Sequence, residues 1–355
     1  MTAAARRRWE ELLGGLVPLI PVGTTAVIDG PAGNDPALAR TASDRIISAL
    51  SAAGHRCARR PSPHAGPPGD GREEGNGHRA ADGRPPGVGS QARDGQRAAA
   101  GQRASDGQRP GEVVIWLRTT QPRRGSTDGD SGADVVIDAY NPDWPVIRRV
   151  AAPLAGRGPW YLTETRAFFA VRAADWDSKF GNDMPAYAAA VREAGIRDGG
   201  TVIDVGCGTG RAIPALREAV GPSGTVLAID LTPEMLEEAR PKCTTARATL
   251  VLADARRLPL GDGAADAVFA AGLVTHLPDP VAGFTELARV TRSGGRLVLF
   301  HPSGRAALAA RHGRTLRRDE PLAAGPLRDA ASAAGWRLTA YDDAVDRFFA
   351  LAIRQ

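Results

Sequence analysis

From residue 201 to residue 301 the chain alternates short apolar runs with amphipathic ones, and this alternation narrows the possible folds more than any other feature. TVIDVG, TVLAID, ATLVLAD, ADAVFAA and RLVLFH read as strands. Helical stretches separate them at 210–220, 232–240 and 280–291, with a short helix expected after the third strand. Strands joined by helical crossovers run parallel and place helices on both faces of one sheet. The end of the chain departs from the pattern. WRLTAYD (336–342) and RFFALAIR (347–354) lie too close for a crossover and predict an antiparallel pair. Upstream, 164–174 and 184–195 read as helices.

The first strand runs into VGCGTG, where Gly206, Gly208 and Gly210 are separated by single residues. Glycine lets backbone approach a ligand with no Cβ in the way, and a helix beginning near Gly210 adds a favourable N-terminal dipole. The spacing is G-x-G-x-G, not the dinucleotide pattern G-x-G-x-x-G. By itself the turn fits a tight strand-to-helix connection as well as a ligand cradle. Its neighbours add chemistry. Asp230 closes the second strand about 20 residues on, where an acid accepts hydrogen bonds from ribose hydroxyls. Asp254 ends the third strand, in position for an adenine amino group. The fourth strand ends near Ala271 and Gly272 with His276 just beyond, and His301 follows the fifth. Open α/β sheets bind ligands at the carboxyl ends of their strands, so His276 and His301 are the candidate catalytic residues. Each also reads as a structural histidine. Asp279 in HLPDP reads as a helix cap.

Taken in order, DVGCGTG, the acid at 230, the AD at 254–255, HLPDP and SGGRLVLF resemble the successive motifs of class I S-adenosylmethionine-dependent methyltransferases. The resemblance covers roughly residues 160–355. It implies a Rossmann-like seven-stranded sheet whose last strand is antiparallel, and S-adenosyl-L-methionine as cofactor. The glycine turn would then hold the methionine part of the cofactor and no phosphate. The implied cofactor-binding set is Asp204, Gly206, Cys207, Gly208, Gly210, Asp230, Leu231, Met235, Asp254, Ala255 and Ala271. Asp204 would hold the ammonium group. Leu231 and Met235 would flank ribose and adenine, although Met235 reads equally as helix core. The segment FFAVRAADWDSKFGNDMPAY precedes the first strand, and in relatives such a segment covers the cofactor. Trp176, Phe180 and Tyr187 read as that lid or as core packing.

The N-terminal part differs. Helix, strand TTAVIDG and helix PALARTASDRIISALSAAG resemble the start of a uridine-kinase-like P-loop protein, and DVVIDAYNPDWPVIRR its tail. A working P-loop needs Lys for the β/γ phosphates and a hydroxyl for magnesium. Here the loop reads Asp35-Pro36-Ala37, and proline also removes a donor N–H. The expected organisation is a smaller degenerate P-loop kinase-like α/β region at 1–56 and 112–155. A disordered Gly/Pro/Arg-rich linker follows at 57–111, with a methyltransferase domain at 160–355. The linker repeats GQR at 95, 101 and 107 and has almost no apolar residues to bury.

Charge adds little. The net charge is +5, but His55–Gly111 alone holds ten Arg against six acids, so the excess belongs to the linker. No nucleic-acid partner is expected. Three cysteines without a CxxC pair suggest neither disulfides nor a metal site. No uninterrupted apolar run reaches about 18 residues, so no membrane span and a cytoplasmic protein are expected. The reading is a methyltransferase acting on a small-molecule substrate, with oligomeric state open. The rivals are an NAD-dependent oxidoreductase, a nucleoside or uridine kinase-like protein, and a non-catalytic cofactor-binding regulator. The stretch HPSGRAALAARHGRTLRRDE after the fifth strand offers arginines to an acidic acceptor, or forms a solvated helix face.

Overall fold

The computed structural model describes residues 1–30, 36–60, 111–121, 132–312 and 315–355, with Phe180 described in its backbone alone. The P-loop-like turn at 31–35 and the linker at 61–110 lie outside the described residues.

The N-terminal half contains α1 (Ala3–Leu16), β1 (Thr25–Asp29), α2 (Pro36–Ala52), β2 (Arg56–Arg59), β3 (Glu112–Arg118), β4 (Val135–Asp138) and β5 (Val146–Val150). These strands form a five-stranded sheet in the order β2-β1-β3-β4-β5. β1 pairs in parallel with β2 and β3, β3 in parallel with β4, and β5 closes the sheet antiparallel to β4. β2 reaches Arg59, so ordered pairing continues three residues into the segment read as linker. Register explains it: Cys57 and Ala58 align with Ala26 and Val27, and the growing sheet supplies the hydrogen bonds that the sequence cannot signal locally.

Four helices bridge the halves: α3 (Ala152–Ala155), α4 (Trp160–Ala170), α5 (Trp176–Phe180) and α6 (Met184–Ala194). The C-terminal half follows as β6 (Thr201–Val205), α7 (Ile213–Val220), β7 (Thr225–Asp230), α8 (Pro233–Ala246), β8 (Thr249–Leu252), β9 (Ala265–Ala271), α9 (Pro280–Val290), β10 (Thr291–His301), α10 (Arg305–Arg311), α11 (Ala324–Ala333), β11 (Trp336–Asp343) and β12 (Phe348–Arg354). Its seven-stranded sheet has the order β11-β12-β10-β9-β6-β7-β8. β12 runs antiparallel to both neighbours, as the close spacing of the last two strands predicts. This is a Rossmann-like α/β sheet, and the P-loop character of the first half gains no support from it. The chain winds outward in one direction through β6, β7 and β8 and in the other through β9 and β10. The switch point therefore lies between β6 and β9, where such sheets bind ligands.

Alternation along the strands divides the core. Ile203, Val268, Leu297 and Leu299 face one apolar cluster, and Val202, Phe269, Val298 and Phe300 the other. The first cluster does not stop at the domain boundary read from the sequence. It runs on through Tyr161 and Trp160 of α4 into Ile147, Ile137, Ile28, Leu12 and Trp9 of the N-terminal half. Two sheets thus share one core. The helix expected near Gly210 starts at Ile213. The short helix expected after the third strand is absent: Asp254 and Arg257 form an isolated β-bridge there. Among the described residues no helix is long and apolar enough to cross a membrane.

Candidate functional site

The glycine turn leaves β6 with positive φ at all three glycines, 73° at Gly206, 53° at Gly208 and 80° at Gly210. Two of them are needed for packing as well as for dihedral freedom. A Cβ at Gly206 would stand 3.2 Å from Leu273 Cδ1, and one at Gly210 would stand 3.2 Å from Ala239 Cβ of α8. Gly208 differs: a Cβ there would meet nothing within 4 Å. Its side of the turn faces open space, as a ligand cradle requires.

Two carboxylates converge on this turn. Asp204 is 1 % exposed, and its Oδ2 has no hydrogen-bond partner among the described residues. Burial, and then the neighbouring Asp230, push its carboxyl up to about 8. Asp230 accepts from Gly208 N at 2.9 Å and from Thr232 N at 2.8 Å. Burial raises its pKa, and those backbone donors oppose the shift. Asp230 therefore shapes the turn while keeping lone pairs for further donors. Cys207 between the glycines is buried, with its thiol pushed well up by burial, so it is an inert packing group.

The remaining expected cofactor residues line the neighbouring strand ends. Asp254 is not free: Arg256 grips it through Nε at 3.0 Å and Nη2 at 2.7 Å. The Arg256 guanidinium lies 4.1 Å from the Tyr161 ring centroid, which ties the end of β8 to α4. Leu231 presents its carbonyl to Arg166 Nε at 3.0 Å. Ala255 and Met235 are buried, the latter at 1 % exposure, which is the helix-core alternative for Met235. Ala271 ends β9, half-buried.

A second cluster fastens α5 over the turn. Asp177 accepts from Thr209 Oγ1 at 2.5 Å, Arg211 Nε at 3.0 Å and Lys242 Nζ at 2.8 Å. Arg211 also donates to the Asp177 and Gly181 carbonyls and pairs with Asp183. Burial raises the Asp177 pKa, but the Lys242, Thr209 and Arg211 hydrogen bonds outweigh it and the net shift is downward. Of the aromatic lid candidates, Trp176 packs on Phe169 at 5.6 Å. Tyr187, half-buried, packs on Phe300 at 4.9 Å against the second apolar cluster, the packing alternative of its two readings. The side chain of Phe180 lies outside the description. Sequence reasoning missed Asp177, Arg211 and Lys242. The one available hint was that Lys242 is one of two lysines in the chain.

Both candidate catalytic histidines sit at the carboxyl edge. His276 closes a 3-10 turn, Val274–His276, its N–H bonded to Leu273 O at 2.9 Å. Its ring meets Phe169 edge-on at 5.0 Å. Burial lowers its pKa to about 3, with Arg148 adding to the effect. His301 lies beside the end of β9, its Cδ2 3.9 Å from a Cβ placed on Gly272. Its Nδ1 lies 3.0 Å from Ser303 O; a carbonyl only accepts, so Nδ1 carries the proton and Nε2 keeps its lone pair. Burial lowers this histidine to about 4. Both rings are neutral near pH 7. Asp279 caps α9, accepting from Val281 N and Ala282 N.

Against known proteins, residues 203–299 match the family described as a methyltransferase domain. An uncharacterized 37.1 kDa protein in a transposon of Streptomyces fradiae is 41 % identical over 107 residues, 30 % of this chain and 31 % of that protein. The ubiquinone/menaquinone biosynthesis C-methyltransferase UbiE of Geobacter sp. (strain M21) is 33 % identical over 115 residues, 31 % of this chain and 49 % of its own. A crystal structure of a SAM-dependent methyltransferase from Aquifex aeolicus overlays with a TM-score of 0.39 at 25 % identity, over 48 % of this chain and 89 % of that one. The match thus covers less than half the length of each of these two curated relatives.

Proposed function

We propose that the chain transfers a methyl group from S-adenosyl-L-methionine to a small-molecule acceptor. The observation that carries this reading is Asp204, a buried carboxyl with one oxygen unpartnered among the described residues, at the strand end that opens into the glycine turn. Burying such a group uncompensated is costly, and a ligand ammonium removes the cost. The residues present fit the cofactor. Asp204 would hold its ammonium, the turn at Gly206 and Gly208 its methionine backbone, Asp230 its ribose hydroxyls, and Asp254 with Ala255 its adenine. When bound, the cofactor supplies an electrophilic methyl on a sulfonium.

The chain's own work is alignment and the exclusion of water. α4 and α5 perform the second task, fastened through Arg166 to Leu231 and through Asp177 to Arg211 and Lys242. A hydroxyl acceptor must also lose a proton. The neutral His276 ring, or the Nε2 lone pair of His301, can take it.

The first half we read as a decayed P-loop module. Supporting this, Asp29 is spent on local bonds, to Gly30 N at 2.8 Å and to Arg60 at 3.2 Å. A Cβ at Gly30 would fall 2.3 Å from Leu117 O, so backbone rather than a phosphate fills that side. Calorimetry on the full chain tests both readings. S-adenosylmethionine and S-adenosylhomocysteine bind, and Asp230→Ala weakens them by roughly 1.5–3 kcal/mol. Magnesium ATP does not bind. Binding of NADH in place of the adenosylmethionine ligands, indifferent to that substitution, would remove the methyltransferase reading.

A further inference from the structure

A cavity of about 80 Å³ lies where the two halves meet. β5 of the N-terminal sheet forms one wall with Arg148, α4 another with Trp160 and Thr165, and the loop after β9 a third with Thr275 and His276. The loop wall ties the cavity to the cofactor end of the site. His276 is bonded to Leu273, and Leu273 packs on Gly206 of the glycine turn.

The charged residues in the lining are Arg148 and Arg149. Behind the lining, Arg172 shares the Phe168 ring with Arg148, their guanidinium carbons 3.8 Å and 3.4 Å from its centroid. Arg172 spends its donors on neutral oxygens, the Phe168 carbonyl and the Tyr140 hydroxyl. Arg148 has one carboxylate within reach among the described residues, Asp138, which its Nε approaches at 3.6 Å, beyond hydrogen-bond distance. Asp138 also pairs with Arg118, at 3.2 Å. The Nη groups of Arg148 carry no hydrogen bond among the described residues, and the side chain stays 23 % exposed. Burial, against the pull of Asp138, lowers Arg148 to about 10, so it remains a cation at neutral pH.

The strand that presents Arg148 is held firmly. The adjacent Ile147 N–H donates to Glu164 Oε2 at 2.7 Å. Glu164 in turn forms a buried ion pair with Arg8 of α1, and Arg8 Nε donates to Pro145 O at 2.8 Å. A preorganised guanidinium with unspent forked donors recognises a planar oxyanion.

We propose that this cavity anchors the methyl acceptor by a carboxylate group held on Arg148, and that the N-terminal half thereby supplies part of the acceptor site. The proposal rests on the methyltransferase reading for the word acceptor, but not for the anion site itself. An apolar cavity of about 150 Å³ takes up benzene. One of about 80 Å³ accommodates the charged group, with the remainder of the acceptor outside it. The chain around 151–159 is then a junction inside a single site, and no longer a spacer between a remnant and an enzyme.

The test uses the full chain and two pairs of probes, acetate with acetamide and benzoate with benzamide, titrated with and without saturating S-adenosylhomocysteine. Each carboxylate binds about tenfold or more tightly than its amide. Arg148→Met abolishes that preference and leaves amide binding and S-adenosylhomocysteine affinity unchanged. Arg148→Lys restores part of it, because the charge returns without the fork. A wild-type measurement guards against misfolding of the variants: benzoate, but not benzamide, protects Arg148 from phenylglyoxal in a peptide map. Equal binding of acid and amide, no carboxylate binding at millimolar concentration, a folded Arg148→Met protein that keeps the preference, or protection confined to other arginines would each overturn the proposal. Normal S-adenosylhomocysteine binding with no carboxylate preference removes the anion site alone. Carboxylate preference without S-adenosylhomocysteine binding removes the methyltransferase reading and keeps the anion site.

Discussion

Replacing Asp204 by Asn should raise stability at alkaline pH while weakening the cofactor, and the structure sets the size of both effects. The carboxyl is buried and held near 8 instead of its ordinary 3.8. An acid raised in the folded state keeps its proton there after the unfolded chain has lost it. Stability from this group is therefore full below about pH 4 and declines by about 1.4 kcal/mol per pH unit until the folded value is passed. Between pH 6 and pH 8 the wild type should lose about 2 kcal/mol that the Asn variant, which cannot ionise, retains. Asp230 also has a raised pKa, but it is present in both proteins and largely cancels in the difference. Urea denaturation at pH 6, 7 and 8 measures it. Cofactor binding should show the mirror image. An ammonium favours ionised Asp204, so binding to the wild type expels a proton near pH 7. Affinity climbs with pH until the cofactor amine itself begins to deprotonate, near 8 for an α-amino group. Calorimetry in two buffers of different ionisation enthalpy counts that proton, and the Asn variant should bind more weakly and expel none. Parallel stability curves for the two proteins, or equal proton release, would refute the assignment of Asp204 as the buried acid that meets the ammonium.

Glu164→Ala should cost about 3 kcal/mol, the low end for a buried pair, because it takes a buried carboxylate from Arg8 and from the Ile147 N–H while Glu11 at 3.0 Å still faces the guanidinium; chemical denaturation that shifts by less than about 1 kcal/mol would deny the pair its role in joining the halves. Asp177→Asn should leave overall stability within about 1 kcal/mol, since the carboxylate is 45 % exposed. It should nevertheless speed cofactor release several-fold in stopped-flow, with added salt producing the same acceleration in the wild type and little in the variant. If His276 rather than His301 takes the proton of a hydroxyl acceptor, His276→Gln should lower turnover about 10²-fold, the low end for general-base catalysis, with cofactor affinity intact. Because this imidazole is held at about 3, it should contribute no acidic limb near pH 6.5. Normal turnover per folded molecule would return it to the packing residues.

Much of the candidate site could be read from the chain because it is built from strand ends. A buried parallel strand is a continuous apolar run, and the residue that breaks it stands at the carboxyl edge. Asp204, Asp230 and Asp254 announce themselves this way, and so do the glycines whose left-handed φ no other residue adopts cheaply. The cap at Asp279 and the terminal hairpin are equally local. The clamp on α5 is not. Thr209 and Lys242 stand 32 and 65 residues from Asp177, and nothing periodic links them. Asp254 and Arg256 stand two positions apart in ADARRLPL, yet closeness along the chain does not tell which way a side chain turns.

By itself, then, the sequence determined the α/β class, the order of strands and helices in the second half, the antiparallel ending and the place of the glycine turn. Each follows from hydrophobic period and from residues with unusual backbone freedom, which act within a few positions of one another. Tertiary structure alone decided that the halves are one body. Arg8 and Glu164 are 156 residues apart, and the apolar faces of two sheets merge around Trp160 and Tyr161. An apolar residue in the sequence declares that it will be buried, not against what. The partner is chosen only when the sheets pack, and with it the cavity that Arg148 and His276 come to share.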